Sequence, residues 1–173
     1  DEYWRELIKR VRNIYSGPIV YNTNHGREEK VNWFDAVDYI GISAYYRIAG
    51  VPLDTRENML ISWNRVADRL EGISRKLGKQ VIFMEIGCRS AEGCAMMPWD
   101  FTHTELKWNE EEQACFYDTC LSAFSGKEWF AGVFWWDWST ELYSTREEAL
   151  KDTGFDIHLK KAEEVLKEWY SKL

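Results

Sequence analysis

Apolar positions recur along the chain in two alternating rhythms. Residues 2–15, EYWRELIKRVRNIY, carry Trp4, Leu7, Ile8, Val11, Ile14 and Tyr15 at helical spacing. Gly17-Pro18 then stops the helix. IVYN (19–22) reads as a short strand, VNWFDAV (31–37) as a brief helix or turn, and DYIGISAYY (38–46), β-branched and aromatic, as a second strand. Residues 55–77 predict a long helix with Leu60, Trp63, Ala67, Leu70, Ile73 and Leu77 along one face, ended by Gly78. QVIFMEI (80–86) is the next strand. NEEEQACFYDTCLSAF (109–124) is a helix with Asn109 as its N-cap and three acids in the first turn, where the helix dipole favours them. AGVFWWDWS (131–139) predicts a fourth strand, and LKKAEEVLKEWYSKL (159–173) a closing amphipathic helix.

Strands that alternate with helices indicate a parallel sheet in an α/β fold. The strands are nearly all apolar, which suits burial on both faces. A doubly wound sheet and a set of barrel units both fit this order. The two longest connections, 88–108 and 139–158, each follow a strand, and such loops carry the site in barrels and open sheets alike. With 173 residues the chain reads as one domain with a sizeable core, and it begins at Asp1 rather than Met, which reads as a chain processed, trimmed or excised from something longer.

Composition removes several function classes. The formal charge is −7 and the basic residues are scattered, which disfavours nucleic acid. No apolar run approaches the roughly 20 residues of a membrane span, and no signal peptide is visible, so the compartment is left unassigned. Neither a G-x-G-x-x-G nor a G-x-x-x-x-G-K-[ST] motif is present, so nucleotide cofactors lose support. Cys88, Cys94, Cys115 and Cys120 form no C-x-x-C pair and no His spacing suggests zinc; they are expected as free thiols, with a Cys88–Cys94 loop disulfide as the main exception. The ten tryptophans allow either core filling or stacking against flat ligand faces, sugar rings being the leading case.

One carboxylate stands out. Glu85 follows Val81, Ile82, Phe83 and Met84, and plain strand alternation puts it on the same side as Val81 and Phe83. A lone carboxylate in an apolar strand is costly unless paired or at the solvent mouth. Gly87 follows, where the backbone leaves the strand. The ordinary alternative is an ion pair with Arg89 or Arg47. Neighbouring strand ends supply Asn22 and Asn24, Tyr45 and Tyr46, and Trp135, Trp136, Asp137 and Trp138. Hydrogen-bonding groups, a carboxylate and flat aromatic walls together are what a sugar site needs.

WFDAVDYIGISAYY, VIFMEIGCRS, PWDF, GVFWWDW and DTGFDIHLKKAEEVLKEWY, in that order, resemble the latter half of glycoside hydrolase family 113, over essentially the whole chain. The resemblance implies strands five to eight of a (β/α)8 barrel, a parallel (βα)4 half barrel, preceded by the helix that follows strand four. It implies a retaining, β-mannanase-like hydrolase acting on β-linked mannose-type polysaccharide or oligosaccharide, without metal or organic cofactor. Glu85 matches the nucleophile, Tyr45 or Tyr46 the tyrosine that orients it, Trp136 or Trp138 the aromatic floor, and Asn24 the strand-five asparagine. His25 stands where the family tends to carry an aromatic. Trp99, in the PWD stretch, is the expected outer sugar contact, and Asp137 lies beside the floor as a further substrate contact. Other loop acids (Glu92, Asp100, Glu105, Glu141) and His103 and His158 read as solvated.

The family places its acid/base at the end of strand four, outside this chain. The expectation is therefore an impaired isolated chain that needs a missing N-terminal half or a second copy of itself as partner; in a two-copy barrel Asp137 would approach the lost acid's place. The alternatives are a non-catalytic carbohydrate-binding half barrel and a self-assembling module.

Overall fold

The computed structural model describes residues 1–172. Its first helix, α1 (Glu2–Arg12), holds Lys9, Arg10 and Arg12 in its last turn, the favourable end of the dipole for cations. It is shorter than its apolar spacing predicts. Arg12 reaches to the Gly17 carbonyl (2.9 Å) and to Asp38 (2.5 Å), and the chain turns away after Asn13. Ile14 is left 88% exposed.

Four strands follow: β1 (Val20–Asn24), β2 (Tyr39–Ser43), β3 (Val81–Ile86) and β4 (Phe130–Trp135). They pair in parallel in the order β1-β2-β3-β4. β1 runs two residues beyond its apolar core, so Asn24 lies within the ladder, opposite Ser43. Between β2 and β3 runs α2 (Arg56–Leu77). The Thr55 side chain accepts from the Asn58 amide (3.2 Å) at its start, and Gly78 takes φ 63° at its end, a left-handed conformation that costs glycine little. α3 (Glu110–Phe124) is capped by Asn109, which accepts from the Glu112 amide (3.1 Å). The expected irregular loop after β4 contains a short helix, α4 (Arg146–Ala149), closed by a reciprocal cap between Thr145 and Glu148. α5 (Lys161–Tyr170) ends the described chain. Among the described residues no helix is long and apolar enough to cross a membrane.

The sheet's two faces differ. On the helix side, Ile40, Ile42, Val81 and Phe83 are fully buried. The Phe83 ring packs edge-on against Phe124 and Phe130, each at 4.9 Å between centroids, and tilted against Trp63 at 6.4 Å. Each such side chain contributes about 1.5–3 kcal/mol of burial. Residues that alternate with these leave the other face open: Asn22 and Asn24 are exposed, Ile82 and Met84 half-buried, and Phe134 58% exposed. Among the described residues β1 and β4 have no outer strand partner. This is the arrangement of half a barrel wall.

Candidate active site

Glu85 reaches the site through an irregularity that alternation does not reveal. Ile42 pairs with Phe83, yet Ser43 pairs with Glu85, so β3 advances two residues for one in β2. A bulge of this kind turns over the facing of the residues after it. Val81 and Phe83 stay in the core, while Glu85 emerges half-buried at the strand's carboxyl end. The expectation that Glu85 shares the side of Val81 and Phe83 is thus corrected, and the correction is what places the carboxylate in line with Ser43 and Asn24 across three strands.

The ion-pair alternative fails. Arg89 spends its guanidinium on the Thr153 carbonyl (2.9 Å), the Thr153 hydroxyl (2.9 Å) and the His103 carbonyl (2.5 Å). Arg47 binds the Ala49 and Gly50 carbonyls. Among the described residues Glu85 forms no salt bridge. Instead the Tyr45 hydroxyl donates to Glu85 Oε1 at 2.5 Å. Burial, then the adjoining carboxylate, push the Tyr45 pKa well above its ordinary value, so the phenol stays protonated and remains a donor.

Gly87 joins this strand end to the next. A Cβ at residue 87 would lie 1.8 Å from the Trp136 carbonyl oxygen, so only glycine admits the approach. Trp136 in turn donates its amide to the Ile86 carbonyl (2.7 Å), and the Tyr117 hydroxyl donates to the Trp136 carbonyl (3.3 Å). The Trp136–Asp137 peptide is cis.

The other expected contacts divide. Trp136 (47% exposed) and Trp138 (53% exposed) present open rings, the latter edge-on to His158 at 5.4 Å. Asn24 is exposed at the end of β1. Trp99, 45% exposed, stacks on the His25 ring at 5.6 Å and 24°, so His25 takes part in the aromatic surface at the β1 flank. Asp137 is held partly out of water. Burial, then Asp156 and Asp152, raise its pKa, and its Oδ1 is buried with no hydrogen-bond partner among the described residues.

Tyr46 departs from expectation. It is buried, and its hydroxyl donates to Glu28, which leaves no hydroxyl to offer a ligand. Nothing in the sequence singles out that partner: Glu28 sits in the charged stretch REEK, which reads as solvated turn, and Arg69 reads as the polar face of α2. The fold instead buries Glu28 fully and gives it Arg69 at 2.9 Å.

The loop after β4 is held by its own polar core. Buried Lys160 donates to Ser90 Oγ and Asp152 Oδ2, both at 2.8 Å, and the Tyr143 hydroxyl donates to Asp152 (2.6 Å). The four cysteines are free thiols. Asp100, taken as solvated, accepts from the Thr102 amide and hydroxyl and lies 2.8 Å from His103 Nδ1, which shapes the turn after Trp99. Among the described residues no group of three or more His, Cys, Asp or Glu is placed to hold a metal ion.

Half of a parallel α/β barrel thus carries a carboxylate held by a tyrosine at one strand end and open indole rings at the next. The sequence model of Glycoside Hydrolase Family 113 matches residues 1–160. The GH113 β-mannanase AaManA from Alicyclobacillus acidocaldarius, solved in complex with ManMIm, is 36% identical over 100% of this chain and 51% of its own, with a TM-score of 0.85. A GH113 β-1,4-mannanase, also solved as a complex, is 33% identical over 99% of this chain and 51% of its own, with a TM-score of 0.83. A β-glucuronidase from an uncultured Clostridium sp., 19% identical over 98% of this chain and 29% of its own at a TM-score of 0.67, shares the fold. No curated protein matches. The chain belongs to Glycoside Hydrolase Family 113, and it spans about half the length of the solved mannanases it resembles.

Proposed function

We propose that this chain is the nucleophile-bearing half of a retaining β-mannanase-type hydrolase, in which Glu85 attacks the anomeric carbon of a β-linked mannosyl unit. The Tyr45–Glu85 pair carries the reading. A nucleophilic carboxylate has to be ionised, fixed in orientation and free of a clamping cation. One neutral phenol hydrogen bond fixes an oxygen without neutralising the group, and the second oxygen keeps its lone pairs for attack. The open faces of Trp136 and Trp138 suit the apolar face of a sugar ring. Asp137, half-buried beside these rings, offers its carboxylate to a sugar hydroxyl, and Asn24 and Trp99 extend the contact surface toward β1.

Retaining cleavage needs a second carboxyl about 5–5.5 Å from the first, to protonate the leaving oxygen and then activate water. The family resemblance assigns it to the strand that would lie beyond β1. The open sheet face supports four further βα units there, on the same polypeptide or on a partner. A second copy of this chain is the other candidate. Without that carboxyl, proton transfer worth about 10²–10⁴-fold is lost, so the chain alone is a feeble hydrolase of natural glycosides.

The test is intact-mass analysis after incubation with 2-deoxy-2-fluoro-β-mannosyl fluoride, whose leaving group needs little acid assistance. A single glycosyl adduct on Glu85, absent in Glu85→Gln, is expected. Saturable binding of mannan oligosaccharide with no adduct would replace this reading by a carbohydrate-binding one, and neither binding nor adduct would leave an assembly module.

A further inference from the structure

After Ser43 the chain leaves the sheet, and residues 44–49 carry no regular secondary structure. Tyr45 nonetheless has to deliver its hydroxyl to within hydrogen-bond distance of Glu85. Three ties fix this stretch. The Ala44 amide donates to the backbone carbonyl of Glu85 itself (2.7 Å). The Ile48 and Ala49 amides both donate to the Ala95 carbonyl (3.0 and 3.2 Å). Between them, Tyr46 is sunk into the helix side with its ring against His25 (5.5 Å), Trp63 (6.1 Å) and Phe83 (6.4 Å).

The far end of Tyr46 meets a complete socket. Glu28 receives the Tyr46 hydroxyl, the Gly26 amide (3.0 Å), Arg69 Nη1 (2.9 Å) and Arg69 Nη2 (3.5 Å). Arg69 also lies over the Tyr46 ring, 5.6 Å from its centroid. A buried ion pair contributes little net stability compared with apolar packing of the same volume. What it fixes well is geometry: Oε1 takes the Tyr46 hydroxyl, the Gly26 amide and Arg69 Nη2 while Oε2 takes Arg69 Nη1, so the carboxylate cannot turn without breaking several bonds at once.

We propose that Glu28, gripping Tyr46 with the help of Arg69, is a positioning residue for the nucleophile: it fixes the backbone from which Tyr45 holds Glu85. The inference rests on the reading of Glu85 as nucleophile. The Tyr46 amide donates to the Ala44 carbonyl (2.8 Å), a tight turn centred on Tyr45 that parts the two rings, so Tyr46 is anchored against Trp63 and Phe83 while Tyr45 reaches Glu85. Loosening the anchor lets the Tyr45 hydroxyl drift, and a displacement of about 1 Å in such a site costs up to ~10²-fold in rate.

Tyr46→Phe is the sparing variant, because it keeps the ring in the core and removes only the grip on Glu28. In labelling by the fluoro-mannosyl fluoride, a bond forms between C1 and a Glu85 oxygen, the C1–F bond breaks, and fluoride leaves. Tyr46→Phe and Glu28→Gln are each expected to slow the saturated labelling step about tenfold while leaving the half-saturating probe concentration unchanged. Tyr45→Phe slows it at least as much, and adding Tyr46→Phe to Tyr45→Phe costs nothing further, since both act through one contact. A second readout needs no reaction: the Tyr45 hydroxyl proton, protected by its bond to Glu85, gives a downfield proton resonance that Tyr46→Phe shifts or broadens. A folded Tyr46→Phe protein with the parent's hydroxyl resonance overturns the inference, as does an unchanged labelling rate. If the parent protein itself is never labelled, the nucleophile reading fails, and the resonance still decides whether Glu28 positions Tyr45.

Discussion

Two carboxylates flank the Tyr45–Glu85 pair, and the fold treats them in opposite ways. On the β1–β2 flank Glu28 is fully buried, yet it receives four hydrogen bonds from Gly26, Tyr46 and Arg69. On the β4 flank Asp137 is only partly out of water, and its Oδ1 has no donor among the described residues. Burial alone would raise the Glu28 pKa, but the bonds from Arg69 and Tyr46 outweigh it and hold the group below the ordinary carboxylate range. At Asp137 burial and the neighbouring Asp156 and Asp152 outweigh its backbone amide and Lys160 and hold it above. A buried acid whose bonds are all made within the chain is framework. One that is half-buried beside two open indole rings, with an oxygen given no donor among the described residues, is less completely satisfied by the fold.

The largest test of this contrast is stability after truncation. Glu28→Ala strands Arg69 and the Tyr46 hydroxyl and removes a buried pair. Breaking such a pair costs about 3–5 kcal/mol, and with Arg69 partly exposed the lower end, about 3 kcal/mol, is expected in urea unfolding. Asp137→Ala breaks no bond made by Oδ1 and is expected to change stability by less than about 1 kcal/mol. Equal losses at the two positions would show that both acids serve the framework.

A smaller effect is expected at the seam between the flanks. Gly87→Ala drives a methyl group against the Trp136 carbonyl, at a distance no real contact reaches. The β3 and β4 ends have to part, at about 1–3 kcal/mol for overpacking. Both sides of the site move with them, so adduct formation at Glu85 should fall much further than stability does. Loss in proportion to unfolding alone would mean that the seam does not set the site's geometry.

Much of this was legible in the sequence. The periodicity of residues 55–77, stopped by Gly78, describes the helix Arg56–Leu77 to within a residue, because the glycine stop is local chemistry. Tyr45 and Glu85 were legible from the family motifs, and the structure joins them. Three features were not. The bulge that turns Glu85 out of the core is a property of two strands in register, which no single strand encodes. The role of Tyr46 depends on Glu28 and Arg69, which are 18 and 23 residues away from it and look like surface charges. The early end of α1 follows from Arg12 finding Asp38, again a distant partner that outweighs an unbroken apolar spacing.

In acid the Glu28 contribution should fade. Its folded-state pKa lies below the unfolded one, so the stability it adds is fully present above the ordinary carboxylate range and is lost as pH falls through the lowered value. The Tm gap between the parent protein and Glu28→Gln is therefore expected to be widest near neutral pH, to shrink as pH falls out of the ordinary carboxylate range and to close only below the lowered value. A gap independent of pH would mean that the side chain's shape, and not its charge, is what the socket needs.

The least change in stability, and the most diagnostic sign, belongs to Asp137→Asn. The folded-state pKa of Asp137 is raised, so the folded protein is favoured fully below the ordinary aspartate range and loses that advantage as pH rises through the raised value. At neutral pH the parent protein therefore carries an ionised, poorly solvated acid next to Asp156 and Asp152. Asparagine removes the charge at almost the same volume. Its Tm should match the parent's at pH 3–4 and exceed it slightly at pH 7, a rise that melts across this range would register. A ligand hydroxyl donating to the Asp137 carboxylate would change the comparison, because a charged acceptor binds a neutral donor more strongly than an amide oxygen does. Saturating mannan oligosaccharide should thus raise the parent's Tm more than that of Asp137→Asn. If instead the asparagine variant is the less stable protein at pH 7 without sugar, Asp137 already has its partner within the fold, and the two flanks do not differ.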